Sequence, residues 1–389
     1  MFPDFNIHSL PLLILVIQGL IFVCLLFIRY FKKKQISDAF LGLILLLTSY
    51  FQICYTVGFM GWYNEFRTTK INYFLLSIAM ALAPLIYFYV KSITTSQFKF
   101  KPKHWLHFIP ALLFVIFRIS IYTYDAAQPG FDDVQNGILK LKWDEPFAQP
   151  IVLYLGTASM LLYLAFTFEL FYNYRKRIIQ YFSNTYQLEL NWILIFLVLF
   201  TLSFLYGTIQ EIVGGFIELH YVHRWWLNLF VALITLFVGI KGYFTNTNKL
   251  NNLDFKFSPR KVSEDKVISM SVEKKSISED DKQKVNKFMI ENEAFLDPEL
   301  NLSDLAKATG FTRAKLSEII NTGFQKNFND YVNSYRIEAF KEKLKSEKHQ
   351  QLSLLGLAFE CGFNSKATFN RVFKKLTNSS PTEYLKTAI

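Results

Sequence analysis

Seven long apolar stretches follow one another through the first two thirds of this chain, and nothing else constrains its fold as much. They run Leu10 to Ile28, Ala39 to Met60, Ile71 to Val90, Trp105 to Tyr124, Pro150 to Tyr172, Leu190 to Ile209 and Trp225 to Tyr243. Each is close to the ~20 residues with which a helix crosses ~30 Å of hydrocarbon. Most hold no charge, and seven such helices in succession argue against the interior of a large soluble protein. Charge is distributed to match. Residues 1–248 carry 18 basic and 12 acidic residues, whereas residues 278–389, under half as many, carry 17 and 15. A polar stretch, residues 249–277, lacks a strong pattern and reads as a linker. Three cysteines, Cys24, Cys54 and Cys361, cannot build a disulfide framework.

The flanks of the stretches predict an orientation. Met1 to Ser9 carries only Asp4, while Arg29, Lys32, Lys33 and Lys34 follow the first stretch. That order fits a retained helix with its C-terminal end in the cytoplasm, not a cleaved signal. The loops on that side hold Lys91, Lys99, Lys101, Lys103, Arg175, Lys176 and Arg177 as well, 11 basic residues in all, against 5 in the alternate loops. By the positive-inside rule the N-terminus lies outside and the last third in the cytoplasm, as expected of a multi-pass protein of the inner membrane. Trp62, Trp105, Trp143 and Trp225 sit near stretch ends, as interfacial anchors do.

The charged third predicts two copies of one small motif. Ser278 starts a first helix with Val285, Phe288 and Met289 on one side. Asn301 then caps a helix carrying Leu302, Leu305 and Ala306, and Gly310-Phe311-Thr312 turns the chain into a second helix. Leu316, Ile319 and Ile320 face inward there, and Arg313, Ala314, Lys315, Ser317 and Glu318 face outward. About fifty residues later Ser353 caps Leu354, Leu357 and Ala358, and Gly362-Phe363-Asn364 makes the matching turn. Phe369, Val372 and Phe373 face inward; Lys366, Ala367, Asn370 and Arg371 face outward, with Lys374 and Lys375 behind them. Tyr331 to Lys345 reads as a spacer helix between the two. Helix, glycine turn, helix is the layout of a helix-turn-helix, whose second helix enters a major groove. From Asn301 to Ile389 there are 14 basic and 8 acidic residues, a fair electrostatic base for phosphate.

Leu302 to Tyr384 resembles the DNA-binding domain of the AraC/XylS family of transcription regulators. The resemblance rests on Ala358-Phe359-Glu360-Cys361-Gly362-Phe363, on Phe369-Asn370-Arg371-Val372-Phe373-Lys374-Lys375, on Ser380-Pro381-Thr382-Glu383-Tyr384 and on Arg336-Ile337-Glu338. It implies an all-α chain: a seven-helix membrane bundle followed by a double helix-turn-helix that enters successive major grooves of double-stranded DNA. It also implies base-reading positions, Arg313, Ala314, Ser317 and Glu318 in the first motif and Lys366, Ala367, Asn370 and Arg371 in the second. Arg371 or Lys366 suits guanine, Asn370 adenine, and the alanines thymine methyls. Lys315, Lys374 and Lys375 are expected on phosphates, which position without specifying. Glu318 departs from the basic or amide residue of many relatives. It either accepts from cytosine or pairs with Lys315 and touches no base.

In the front, charges inside the bilayer are candidates for function. Arg118 is the deepest, and Glu211 is the acid within reach of it near the outer end of the sixth stretch; Glu169 is expected to meet Arg175 to Arg177. A pocket at Arg118 suits a small anionic ligand, and a structural ion pair is the alternative. Asn136-Gly137 beside Ile138 to Trp143 reads as a hairpin. Pro84 and Pro110 are expected to kink their helices. Glu218, His220 and His223 read as interfacial residues, so no metal or other cofactor is expected, and no enzymatic motif appears. The leading expectation is therefore a membrane-bound one-component regulator that senses an unknown signal. The alternative is a transporter-like or scaffold membrane protein whose regulatory domain binds DNA weakly. The linker lacks clear heptads, so a homodimer would form through the bundle or on adjacent DNA sites.

Overall fold

The structure is a computed structural model that describes residues 2–65, 79–95, 98–129, 137–186, 188–217, 221–245, 277–345 and 352–388. Helices dominate it, and among the described residues the only extended pairing is an isolated bridge between Phe182 and Asn301. The chain forms two compact bodies. The front body comprises residues 1–171 and 191–248, the back body residues 172–190 and 249–389.

Among the described residues the main helices of the front are α1 (Ser9–Lys33), α2 (Ile36–Phe59), α3 (Leu82–Thr94), α4 (Ile109–Ala127), α5 (Gln149–Tyr181), α6 (Asn191–Gly214) and α7 (Trp225–Phe244), the last turns of α5 belonging to the back body. Among the described residues, six helical segments are long and apolar enough to cross a membrane, and α3 is a shorter apolar helix. Residues 71–78 of the expected third stretch lie outside the described residues, as do Glu218 and His220. α1 packs on α2 and α7, α2 also on α3 and α7, and α6 on α7. Elsewhere the apolar surface is largely uncovered: only 11% of the apolar window in Pro102–Ala127 is buried, and 17% of that in Lys140–Tyr181. Leu112, Leu113 and Ile116 point outward from α4.

Local chemistry sets the helix ends. Lys34 adopts a left-handed φ of 54° and donates its N–H to Tyr30 O, stopping α1 and sending the chain into α2. Arg29 then reaches Asp38 of α2 through Nε at 2.7 Å and Nη2 at 2.6 Å, and also donates to Tyr243 O of α7. A residue counted as one of several basic flanks thus latches three helices at one end. Pro110 lies in the first turn of α4 and Pro84 in the first turn of α3. Each helix follows directly on a 3₁₀ segment, Pro102–Phe108 and Ala79–Ala81, so the two prolines mark the change from 3₁₀ to α geometry in the first α turn. Residues Ile138 to Trp143 are helical, not a hairpin strand, and Asn136 lies outside the described residues. Asp125 explains the helix: its carboxylate accepts from Leu139 N–H at 3.0 Å and Lys140 N–H at 3.1 Å, filling donors that a strand pairing would have used.

The back contains α8 (Glu279–Glu291), α9 (Leu302–Thr309), α10 (Arg313–Glu318), α11 (Phe328–Lys345), α12 (Leu354–Glu360), α13 (Lys366–Thr377) and α14 (Pro381–Ala388). Two apolar cores share one helix. Phe328, Tyr331 and Val332 of α11 join Val285, Met289, Leu305, Leu316 and Ile320. Further along the same helix, Ile337, Phe340 and Leu344 join Leu357, Phe363, Phe369 and Phe373. Burying each such side chain contributes roughly 1.5–3 kcal/mol, so α11 is committed to both halves at once. The spacer helix begins at Phe328, one turn earlier than its sequence pattern marks.

Candidate nucleic-acid interface

Both motifs are built from the same four local devices. Asn301 Oδ1 accepts from Asp304 N–H at 3.1 Å to start α9. Gly310, at φ +74°, ends it, and Thr312 Oγ1 accepts from Lys315 N–H at 3.2 Å to start α10. In the second motif Ser353 Oγ accepts from Gly356 N–H at 3.1 Å, Gly362 turns at φ +86°, and Ser365 Oγ accepts from Thr368 N–H at 3.2 Å. Ser365 is therefore the cap of α13. The phenylalanine after each glycine donates its N–H back into the preceding helix, Phe311 to Ala306 O at 3.0 Å and Phe363 to Ala358 O at 3.2 Å. Only a residue at ease in the left-handed region closes such a turn.

Burial follows the predicted faces. On α10, Arg313, Ala314 and Glu318 are exposed and Ser317 half-buried, while Leu316 is buried. On α13, Lys366, Ala367, Asn370 and Arg371 are exposed over Phe369, Val372 and Phe373. The two rows have the same spacing, i, i+1, i+4 and i+5, which lies on one side of a helix.

Three cations of this face, Lys315, Lys375 and Arg371, are engaged by carboxylates of the same body. Lys315 Nζ lies 3.1 Å from Asp281 of α8. Glu318 is therefore not its partner, and has no ion-pair partner among the described residues. Lys375 Nζ donates to both oxygens of Asp330 on α11, at 2.6 and 2.7 Å. Arg371 Nη1 lies 2.7 Å from Glu189, a residue of the loop between α5 and α6. Lys366 and Lys374 are exposed.

Arg336 holds the two motifs together, a role invisible in its sequence neighbourhood. It is 1% exposed. Its Nε donates to Phe295 O at 2.7 Å, its Nη2 to Asp297 O at 2.6 Å and Ser183 Oγ at 3.1 Å, and its Nη1 to Asn333 Oδ1 at 3.1 Å. The guanidinium also lies over the ring of Phe363 in the second turn, 5.8 Å from its centroid. Burial pulls its pKa down to about 10, so it stays charged at neutral pH while its hydrogen bonds go to neutral acceptors.

Residues 305–387 match the helix-turn-helix domain family. An uncharacterized HTH-type transcriptional regulator of Staphylococcus aureus is 31% identical over 109 residues, 28% of this chain and 14% of that protein. The probable transcription factor PqrA of Proteus vulgaris is 29% identical over 85 residues, 22% of this chain and 67% of that protein. The chain thus spans only a small part of the length of the staphylococcal relatives it matches. No solved structure matches it. The helix-turn-helix domain makes DNA the expected partner of the back body, with double caps and glycine turns in the places that the resemblance implies.

Outside that domain, the front body has a cleft of about 680 Å³ lined by Phe114, Arg118, Glu145, Gln149, Tyr154 and Glu211 among others. Arg118 and Glu211 both face it, but they do not pair. Arg118 donates to Asp144, a fully buried carboxylate that also accepts from Gln149 Nε2 at 3.0 Å. Glu211 pairs with Arg224 at 2.7 Å. The reason is the helical turn Lys140–Ala148, which brings Asp144 back to α4; a desolvated guanidinium needs a carboxylate, and this one is closest. Arg175 likewise pairs with Glu189, at 3.6 Å, and not with Glu169.

Proposed function

We propose that this chain is a membrane-bound one-component transcription regulator of the AraC/XylS type. In this reading α1 to α7 lie in a bilayer, the N-terminus is outside, and the helix-turn-helix domain works in the cytoplasm. The carrying observation is the pair of equivalent exposed rows on α10 and α13, each presented by a cap, a left-handed glycine and a second cap. Arg371 and Lys366 address guanine, Asn370 adenine, and Ala314 and Ala367 thymine methyls, with Arg313 and Ser317 in the matching places of the first motif. Lys315, Lys374 and Lys375 take phosphates, the first and last by exchanging Asp281 and Asp330 for DNA. The uncovered apolar surface of α4 and α5 supports the bilayer, because patches of that size are costly in water.

The cleft at Arg118 supports sensing. An anionic ligand there would compete with Asp144 for the guanidinium, and Asp144 belongs to the turn that leads directly into α5. The test is selection of genomic DNA fragments by the full-length chain in lipid nanodiscs, repeated across salt concentrations. A discrete enriched site is expected, with log affinity falling steeply with log salt, by about 0.9 per phosphate neutralised. Binding without any site preference would overturn the reading.

A further inference from the structure

The segment Tyr172–Leu190 is remote in sequence from the helix-turn-helix domain, yet it belongs to the same compact body. It comprises the last turns of α5 and the loop that leads into α6. Its attachment is extensive and mostly buried. Ser183 donates its N–H to Leu300 O at 3.2 Å and its hydroxyl to the same oxygen at 2.7 Å, and accepts from Arg336. Ser183 O accepts from Asn329 Nδ2 at 2.7 Å and Asn333 Nδ2 at 3.2 Å, both on α11. Tyr174 Oη donates to Leu188 O at 2.8 Å and closes the segment on itself. Tyr181 packs on the first apolar core.

Glu189, 5% exposed, stands at the far end of this strap. Its Oε1 accepts from Thr185 Oγ1 at 2.7 Å and from Arg371 Nη1 at 2.7 Å, and its Oε2 lies 3.6 Å from Arg175. The pair is asymmetric: the Arg371 side chain is 50% exposed, the Glu189 side chain 6%. The acid is fixed by its own segment, and the arginine is free to swing away. A guanidinium hydrogen-bonded to a carboxylate cannot also present that edge to a base.

We propose that residues 172–190 form a brake on DNA reading, in which Glu189 occupies Arg371 and regulation consists of withdrawing it. The proposal rests on the reading of Arg371 as a base contact. The strap is continuous with α5 at one end and α6 at the other, so any shift of those helices pulls on Glu189 directly. An exposed arginine is a suitable point of control, because such pairs are weak enough for a modest movement to break.

The experiment is DNA binding by the full-length chain in nanodiscs, at the site that the wild-type chain enriches, for Glu189→Gln, Thr185→Val, Arg371→Ala and the double variant Glu189→Gln/Arg371→Ala. Far-ultraviolet circular dichroism verifies the fold of each. Glu189→Gln should bind roughly fivefold tighter, Thr185→Val should shift the same way by less, and the gain should vanish in the Arg371→Ala background. Unchanged affinity in Glu189→Gln and Thr185→Val, with site preference lost in Arg371→Ala, would overturn the brake and leave the regulator reading intact. Weaker binding by Glu189→Gln would also overturn it, because Glu189 would then be orienting Arg371 for the base. Absence of any preferred site, wild type included, removes the regulator reading and the brake with it. Should Glu189→Gln fail to fold, Thr185→Val alone decides between the first two outcomes.

Discussion

The two helix-turn-helix motifs share a blueprint and differ in what surrounds it. In the first, α10 is only 6 residues long and runs into a wider turn at Ile319–Gly323. Its lysine is tied to the neighbouring α8, and an acid, Glu318, stands exposed on its reading row. In the second, α13 has 12 residues, its row holds Lys366, Asn370 and Arg371, and the arginine is held by a segment from between two front helices. On the proposed reading, both motifs meet DNA and the second is the one whose arginine is under control. Duplication of a motif preserves its backbone devices, because those are local, while the chemistry of each exposed face is free to diverge.

Arg336→Ala should break both motifs and have the largest effect. It strips hydrogen bonds from buried carbonyls on one side and packing from Phe363 on the other, so a loss of about 3 kcal/mol or more is expected. Cys361 provides the readout: it is fully buried, and burial pushes its thiol up to about 11. In a Cys24→Ala/Cys54→Ala background its labelling by a thiol reagent should be slow in the parent and fast in the variant. Equal labelling rates would show that Arg336 is dispensable to the second motif.

Gly362→Ala and Gly310→Ala sharpen the comparison. Both glycines have positive φ, which costs an alanine about 1–2 kcal/mol. At Gly362 a Cβ would also stand 2.5 Å from Phe295 O and 2.9 Å from Leu296 O, whereas at Gly310 the nearest atom is the mobile Lys284 Nζ at 3.8 Å. Chemical denaturation should therefore find Gly362→Ala the more damaging by about 1–3 kcal/mol; equal losses would mean that the second turn relaxes as easily as the first. On DNA, Arg371→Ala should remove about 1–3 kcal/mol of discrimination at one base pair, and Glu318→Ala should leave base preference within about 0.5 kcal/mol. A matching relaxation in Glu318→Ala would make the first motif a reader too.

The smallest effect concerns α14, which only the second motif possesses. Ser380 donates its N–H to Glu383 Oε2 at 2.7 Å, and Glu383 N–H returns to Ser380 Oγ at 3.2 Å. These bonds hold the Glu383 carboxyl below its ordinary pKa. A carboxyl whose pKa is lowered on folding contributes stability that is complete above the unfolded value and fades as pH falls through the folded one. Thermal unfolding of the wild type should thus lose slightly more between pH 6 and pH 3 than that of Glu383→Gln, and identical pH profiles would remove the cap from the account.

What could be read in advance was local. Asn301, Thr312 and Ser353 cap because each has a free donor within three residues, and Gly310 and Gly362 turn because a left-handed φ costs glycine nothing and other residues about 1–2 kcal/mol. Periodicity placed Leu316 and Phe373 inside and Arg313 and Arg371 outside. What escaped depends on separation along the chain. Arg336 meets Ser183 and Phe295, Arg371 meets Glu189, and Arg118 meets Asp144 across a turn that looked like a hairpin. Such partners are chosen by folding, and nothing in the flanking residues marks them. The place of Tyr172–Leu190 in the back body escaped for the same reason, since by sequence it is the loop between the fifth and sixth stretches and its partners, Leu300, Asn329, Arg336 and Arg371, all lie more than a hundred residues away.

That segment also determines how the protein could be taken apart. Because residues 172–190 are threaded into the DNA-binding half while remaining joined at both ends to front helices, cutting the chain between residues 249 and 276 would sever one connection and leave the other. A protease acting there would release no free regulator, only a nicked molecule still held by Ser183, Asn329 and Arg336. On the proposed reading, regulation then happens in place, with the DNA brought to the protein.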